Sequence, residues 1–156
     1  MTVTGVTMKT VLFVCTGNTC RSPMAAALAN SIFASRGIAA VAASCGVFAH
    51  DGADASENAV AAMKEGWNVD ISGHKAKMTG EADLADAYMV ITMTMGHKNH
   101  LLMLYPDFAG KIHAVKEICG QGQDIDDPFG ANFDIYLQCA RQIESFLENF
   151  DWEGHL

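Results

Sequence analysis

The stretch TVLFV, residues 10–14, is a short unbroken apolar run rich in strand formers, and it stops on Cys15 at the head of a loop that contains a glycine. A run of this kind suits a strand buried on both faces of a parallel sheet. The loop leads into a helical pattern. Ser22 is a good N-cap, and Pro23 is tolerated at a first helical position. Met24, Ala27, Leu28, Ile32 and Phe33 then share one face, and Gly37 ends the run. The unit is strand, loop, helix.

The unit recurs. Ala39 to Ser44 reads as a strand, Ser56 to Glu65 as a helix, Ala87 to Thr92 as a second buried strand, and Gly96 to Leu104 as a helix closed by Pro106. Lys111 to Val115 is the fourth strand expected. After the glycine- and aspartate-rich segment GQGQDIDDPFG, the stripe Tyr136, Cys139, Ile143, Phe146, Leu147 and Phe150 marks a long amphipathic helix. This alternation predicts a single three-layer α/β domain: a central four-stranded parallel sheet, helices on both faces, and a ligand loop after strand 1 at the carboxyl edge. The domain is expected over residues 9–156, with residues 1–8 as a flexible N-terminal extension.

Composition narrows the partners. A formal charge of -8 over 156 residues leaves nothing to neutralise a row of phosphates, which argues against nucleic acid or a membrane surface as the general partner. Any anion site must be local. Cys15, Cys20, Cys45, Cys119 and Cys139 form no CxxC pair and no zinc-like spacing with histidine, so a reduced compartment is expected and no metal. MTVTGVTMKT lacks the pattern of a signal peptide, and no segment approaches the roughly 18 apolar residues of a membrane span. A cytoplasmic protein is the expectation.

A glycine-containing loop that enters a helix N-terminus presents several backbone N–H groups to one point, and the helix dipole adds to the pull on an anion. The segment is neither GxxxxGK[ST] nor GxGxxG. What sets it apart is the thiol at its base. The same N–H groups, the dipole and Arg21 favour a thiolate at Cys15, a nucleophile aimed at whatever the loop holds. The spacing Cys-x5-Arg brings in a planar guanidinium that can bind two oxygens of a phosphoryl group and follow them as they flatten. Taken alone, Cys15 would read as a buried strand-end cysteine and Arg21 as a solvated loop residue. The whole string CTGNTCRSP after an apolar strand reverses that reading.

VCTGNTCRSPMA resembles the phosphate-binding loop of the low molecular weight protein-tyrosine-phosphatase family. SCGVFA (44–49), DISGHKA (70–76), ADAYMVITMTMGHK (85–98), DPFG (127–130) and DIYLQC (134–139) follow in the order that family shows. The resemblance implies a protein phosphatase acting through a cysteinyl-phosphate on Cys15. It also implies a phosphate-binding loop of Thr16, Gly17, Asn18, Thr19, Cys20, Arg21 and Ser22. The aspartate of the Asp-Pro pair, Asp127, would be the general acid, protonating the leaving atom and then activating water. Asp124 and Asp126 compete for that role on sequence alone.

By the same resemblance Asn18 holds the loop in shape, Ser22 donates to the thiolate, and Ser44 and His74 belong to the supporting network. Cys20 would be the partner of Cys15 in a reversible disulfide. Phe129 would line the entrance, with Phe48 and His50 as further wall candidates. Phosphorylated proteins are the expected substrates, and phosphate, sulfate or vanadate the expected loop ligands. No cofactor is called for, because Arg21 and the loop donors can supply the charge stabilisation.

Thr19 precedes the second cysteine where many tyrosine-specific relatives carry a bulky aliphatic residue. A hydroxyl there can bond a phosphoguanidinium, whereas an aliphatic side chain only flanks a phenyl ring. With SCGVFA, DPFG and DIY, the pattern is more similar to the bacterial protein-arginine-phosphatase branch, and phosphoarginine is favoured over phosphotyrosine. Two other classes use such a loop. A thioredoxin-coupled arsenate reductase needs two further cysteines after the third strand, and ITMTMGHKNH (91–100) has none. A non-catalytic phosphoprotein-binding module would gain nothing from Cys15 together with Asp127.

Overall fold

The computed structural model describes residues 2–3, 6–119 and 122–156. Thr2–Val3 (β1) pairs antiparallel with Val6–Thr7 (β2), apart from the main sheet. That pair falls inside the segment expected as an extension, and Met1, Thr4 and Gly5 of the segment lie outside the described residues. The main sheet is built from Lys9–Cys15 (β3), Ala40–Gly46 (β4), Met89–Thr92 (β5) and Ile112–Ala114 (β6), all parallel, in the order β4-β3-β5-β6. The helices are Arg21–Arg36 (α1), Glu57–Trp67 (α2), Glu81–Asp86 (α3), Met95–Leu104 (α4), Val115–Ile118 (α5), Phe133–Asn149 (α6) and Trp152–His155 (α7), with a 3-10 turn at Pro106–Lys111.

The apolar run of β3 is continuous because side chains alternate between two buried faces. Val11, Phe13 and Cys15 join a core with Met24 and Phe33 of α1, Met63 of α2 and Ile143 and Leu147 of α6. Leu12 and Val14 join a second core with Leu84 of α3, Leu101 of α4 and Ile112 of β6. β3 is therefore the middle layer of three, with β4 and β5 as its two neighbours. Its last residue, Cys15, emerges at the carboxyl edge, paired with Gly46 of β4.

The four-stranded parallel sheet with helices on both faces agrees with the alternation in the sequence. The stripe of the last long helix is buried from Tyr136 to Phe150, and Gly37 caps α1 at φ 65, a left-handed conformation suited to glycine.

Two local expectations change. α1 begins at Arg21 with Cys20 as its N-cap, so Ser22 lies inside the helix rather than capping it. The Ser22 hydroxyl is engaged elsewhere, by Cys15 and Asn18. The helices α3 and α5 are also additional to the sequence reading. Each is too short to show a period, and each is stabilised locally: the Asp83 carboxylate accepts the Gly80 amide, and that of Glu117 accepts the Ala114 amide.

Candidate active site

The loop from Cys15 to Arg21 takes its shape from what its carbonyls are bonded to. The carbonyl of Cys15 accepts Val47 N–H, that of Thr16 accepts Phe48 N–H, and that of Thr19 accepts Ser56 N–H, each at 2.9 Å. The Asn18 carbonyl accepts His74 Nε2–H at 2.7 Å. In a trans peptide the C=O of one residue and the N–H of the next point in opposite directions. Turning these four carbonyls outward onto the chain that follows β4, the start of α2 and His74 therefore turns the amides of Thr16, Gly17, Thr19 and Cys20 the other way, into the loop. A set of inward backbone donors at a helix N-terminus is an anion cradle.

Asn18 is buried and left-handed, at φ 56, a conformation that asparagine tolerates better than most residues. Its side chain is used at every polar atom. Nδ2 donates to Ser22 Oγ at 2.8 Å and to Ser44 Oγ at 3.0 Å, and Oδ1 accepts Lys77 N–H at 2.9 Å. One residue thus ties the loop to α1, to β4 and to the segment before α3. Gly46 permits the close approach: a Cβ there would stand 2.5 Å from the Thr16 carbonyl oxygen and 2.9 Å from Asn18 N.

Cys15 Sγ lies 2.9 Å from Ser22 Oγ at the buried floor of the loop. Burial, with Cys15 and Asp127 nearby, pushes Cys20 up to about 12, and burial does the same to Cys45 and Cys139. These three are held as thiols. Cys20 Sγ faces Asp127 Oδ1 at 3.8 Å, and Cys45 packs in the second core, accepting Thr79 Oγ1–H.

Arg21 is 3% exposed, and its guanidinium is held by two anchors. Nη1 donates to the Ile125 carbonyl at 2.9 Å and Nη2 to Thr16 Oγ1 at 3.2 Å. Nε is buried with no partner among the described residues. An unsatisfied buried N–H on a fixed cation is costly unless a ligand oxygen takes it.

Of the acidic cluster, Asp127 reaches this group, with Oδ2 3.5 Å from Arg21 Nη2 and its side chain 47% exposed. Its Oδ1 accepts Phe129 N–H. Asp124 is committed elsewhere, accepting the Met95 amide at the start of α4. Asp126 is exposed, and its carbonyl faces the Cys139 thiol. The backbone of this acidic loop is pinned at Ile125, whose N–H donates to Met93 O while its C=O takes Arg21.

Of the wall candidates, Phe48 is exposed and lies against His100, ring centroids 4.8 Å apart and planes tilted by 53°. Phe129 is exposed beside Asp127, and His50 is exposed with its carbonyl bonded to Ala53.

Two contacts have no counterpart in the sequence reading: the Ile125 carbonyl on Arg21, and His97. His97 is buried, with Nε2 2.8 Å from Thr16 Oγ1 and Nδ1 3.1 Å from Thr94 Oγ1. Burial, with Arg21 nearby, pulls it from 6.5 down to about 4. The unfolded chain therefore binds this proton at a higher pH than the fold does, and stability is lost as pH falls from about 6.5 toward about 4. His97→Gln removes that contribution, so thermal melts at pH 7 and pH 5 are expected to show a smaller drop in Tm for the variant than for the wild type. Equal drops would contradict it.

Residues 10–153 match the sequence profile of the family described as low molecular weight phosphotyrosine protein phosphatase. The protein-arginine-phosphatase of Bacillus subtilis is 37% identical over 88% of this chain and 91% of its own. The crystal structure of a low molecular weight protein tyrosine phosphatase from T. tengcongensis superposes with a TM-score of 0.87 at 41% identity, covering 90% of this chain and 95% of that one. A mutant of the YwlE arginine phosphatase with a phosphorylated active-site serine gives 0.85 at 36% identity, covering 88% and 90%. With this match over nearly the whole chain, the protein belongs to the low molecular weight phosphotyrosine protein phosphatase family.

Proposed function

We infer that this chain is a protein phosphatase that hydrolyses phosphorylated side chains through a cysteinyl-phosphate on Cys15, with phosphoarginine preferred over phosphotyrosine. The observation that carries the reading is a single loop that holds Cys15 Sγ at its floor, turned-in amides and the orphaned Arg21 Nε–H, with the Asp127 carboxyl 3.5 Å from Arg21.

In the first step the sulfur attacks phosphorus, the bond from phosphorus to nitrogen or oxygen breaks, and the leaving atom takes a proton from the Asp127 carboxyl. Loop amides and Arg21 hold the equatorial oxygens, whose charge is spread in the transition state. In the second step the Asp127 carboxylate takes a proton from water as its oxygen attacks phosphorus, the sulfur departs, and inorganic phosphate is released. A hydroxyl at Ser22, 2.9 Å from Sγ, can donate to the sulfur as its negative charge returns. The phosphorylated active-site serine of the YwlE mutant supports transfer of the phosphoryl group to the residue at the loop's base.

The preference for phosphoarginine rests on Thr19. Its carbonyl is fixed by the Ser56 amide, and its Oγ1 lies beside Gly17, 3.7 Å from where a Cβ would stand. A polar hydroxyl in that position suits a guanidinium better than a phenyl ring. The test is kcat/KM on matched phosphoarginine and phosphotyrosine peptides. The wild type is expected to favour phosphoarginine, and Thr19→Ile to shift the ratio toward phosphotyrosine by roughly tenfold. A wild-type preference for phosphotyrosine would sink the arginine reading and leave the phosphatase reading standing.

A further inference from the structure

The Arg21 guanidinium is planar, so two anchors set its plane, and the second anchor is a side chain that itself has to be held. Thr16 Oγ1, which takes Arg21 Nη2–H at 3.2 Å, is only partly buried, and His97 Nε2 sits 2.8 Å from it. His97 is fixed in turn. Its backbone N–H and its Nδ1 both meet Thr94 Oγ1, the N-cap of α4, at 3.2 and 3.1 Å, and the Thr94 carbonyl takes Thr92 Oγ1–H from the end of β5. A continuous path of hydrogen bonds thus runs from the sheet through Thr94, His97 and Thr16 to Arg21. We propose that His97 is a positioning residue for phosphoryl transfer, locking the Thr16 hydroxyl so that the Arg21 guanidinium is held in the plane that receives the flattened phosphoryl group.

The chemistry of the ring suits the task. Held neutral by its burial and by the cation beside it, the imidazole adds no second positive charge next to Arg21. In either neutral tautomer Thr16 Oγ1 keeps a lone pair for Nη2–H: with the proton on Nδ1 the threonine donates to Nε2, and with the proton on Nε2 the threonine accepts it. Without the ring, the hydroxyl is free to rotate, and the guanidinium keeps its bond to the Ile125 carbonyl and, on Nη2, only the longer 3.5 Å contact with the half-exposed Asp127 carboxylate. A loosened clamp harms the transition state more than the ground state, because the flattened oxygens are the ones that need both donors in line.

The inference rests on the phosphatase reading, and the experiment separates the two. kcat/KM on p-nitrophenyl phosphate and competitive inhibition by vanadate and by phosphate are measured for wild type, T16V, H97L and the double variant. Each single variant is expected to lose about tenfold in kcat/KM, the double variant no more than either, and vanadate inhibition to weaken in step while phosphate inhibition moves less than about threefold. His97→Gln and Thr16→Ser, which keep a hydrogen-bonding group at each end of the link, recover most of the loss. A residue that only supports packing would lower Tm without non-additivity and without separating vanadate from phosphate. Additive losses, or H97L within about twofold of wild type, overturn the role of His97. Should H97L fail to fold, the T16V and T16S pair decides, since equal losses in the two remove the link. Absence of Cys15-dependent turnover in the wild type is a different result, and it removes the phosphatase reading itself.

Discussion

Cys15→Ser protein is expected to turn over neither p-nitrophenyl phosphate nor a phosphoarginine peptide at a measurable rate, a loss of roughly 10^4-fold or more, while still binding inorganic phosphate. The two halves of this result have separate origins. The loop's shape comes from four outward carbonyls and the side chain of Asn18, none of which involves Sγ. The serine variant should therefore keep its cradle and its phosphate affinity by calorimetry. The chemistry depends on sulfur, because an alkoxide is far harder to form and a poorer leaving group when water attacks. Cys20, held as a thiol by its burial, offers no replacement. Retention of more than about one per cent of wild-type kcat would remove Cys15 as the nucleophile. A wild-type protein that binds phosphopeptides without turning them over would point to a binding module instead.

Asp127→Asn is the second large effect. With a strongly basic leaving nitrogen, loss of the general acid is expected to lower kcat by about 10^2- to 10^3-fold, with a smaller loss on p-nitrophenyl phosphate, whose leaving oxygen needs less help. Asp124→Asn is the internal comparison from the same acidic cluster. Among the described residues its Oδ1 accepts the Met95 amide, and an asparagine oxygen can take that bond, so its kcat is expected to stay within a few-fold of wild type. Equal losses in the two variants, measured by steady-state kinetics on a phosphoarginine peptide, would mean that the loop is needed for its shape and that neither carboxylate is the acid.

The contiguous parts of this molecule were the legible ones. Cys15, the loop and Arg21 lie within a few residues of each other, and a buried strand, a glycine and a helix start are enough to say what that string builds. The sheet was legible for a related reason: strands buried on both faces are unbroken apolar runs. Ser44 and His74, which meet Asn18 from 26 and 56 positions away, were named through the family resemblance alone, and two further contacts that join residues far apart in the chain were not legible. His97 meets Thr16 across 81 positions and the Ile125 carbonyl meets Arg21 across 104, and a backbone carbonyl carries no signature of residue type. Ser22 shows the opposite failure. Its local pattern is that of an N-cap, and a tertiary demand from Cys15 and Asn18 overrode it. Among Asp124, Asp126 and Asp127 the sequence offered only the neighbouring proline as a guide, whereas in the fold the Asp124 carboxylate takes the Met95 amide and the Asp127 carboxylate stands beside Arg21.

The fastening of the loop through Gly46 and Asn18 has a thermodynamic consequence. A cradle already in its binding shape loses little conformational entropy when an oxyanion arrives, so the affinity for a phosphoryl group comes with almost no ordering penalty. That advantage cannot be reserved for the substrate. Free phosphate presents the same oxygens to the same amides, and a rigid site has no means of relaxing around it once the leaving group has gone. Retention of the product is thus the expected counterpart of a pre-shaped loop, and throughput is expected to fall as the phosphate level of the surroundings rises.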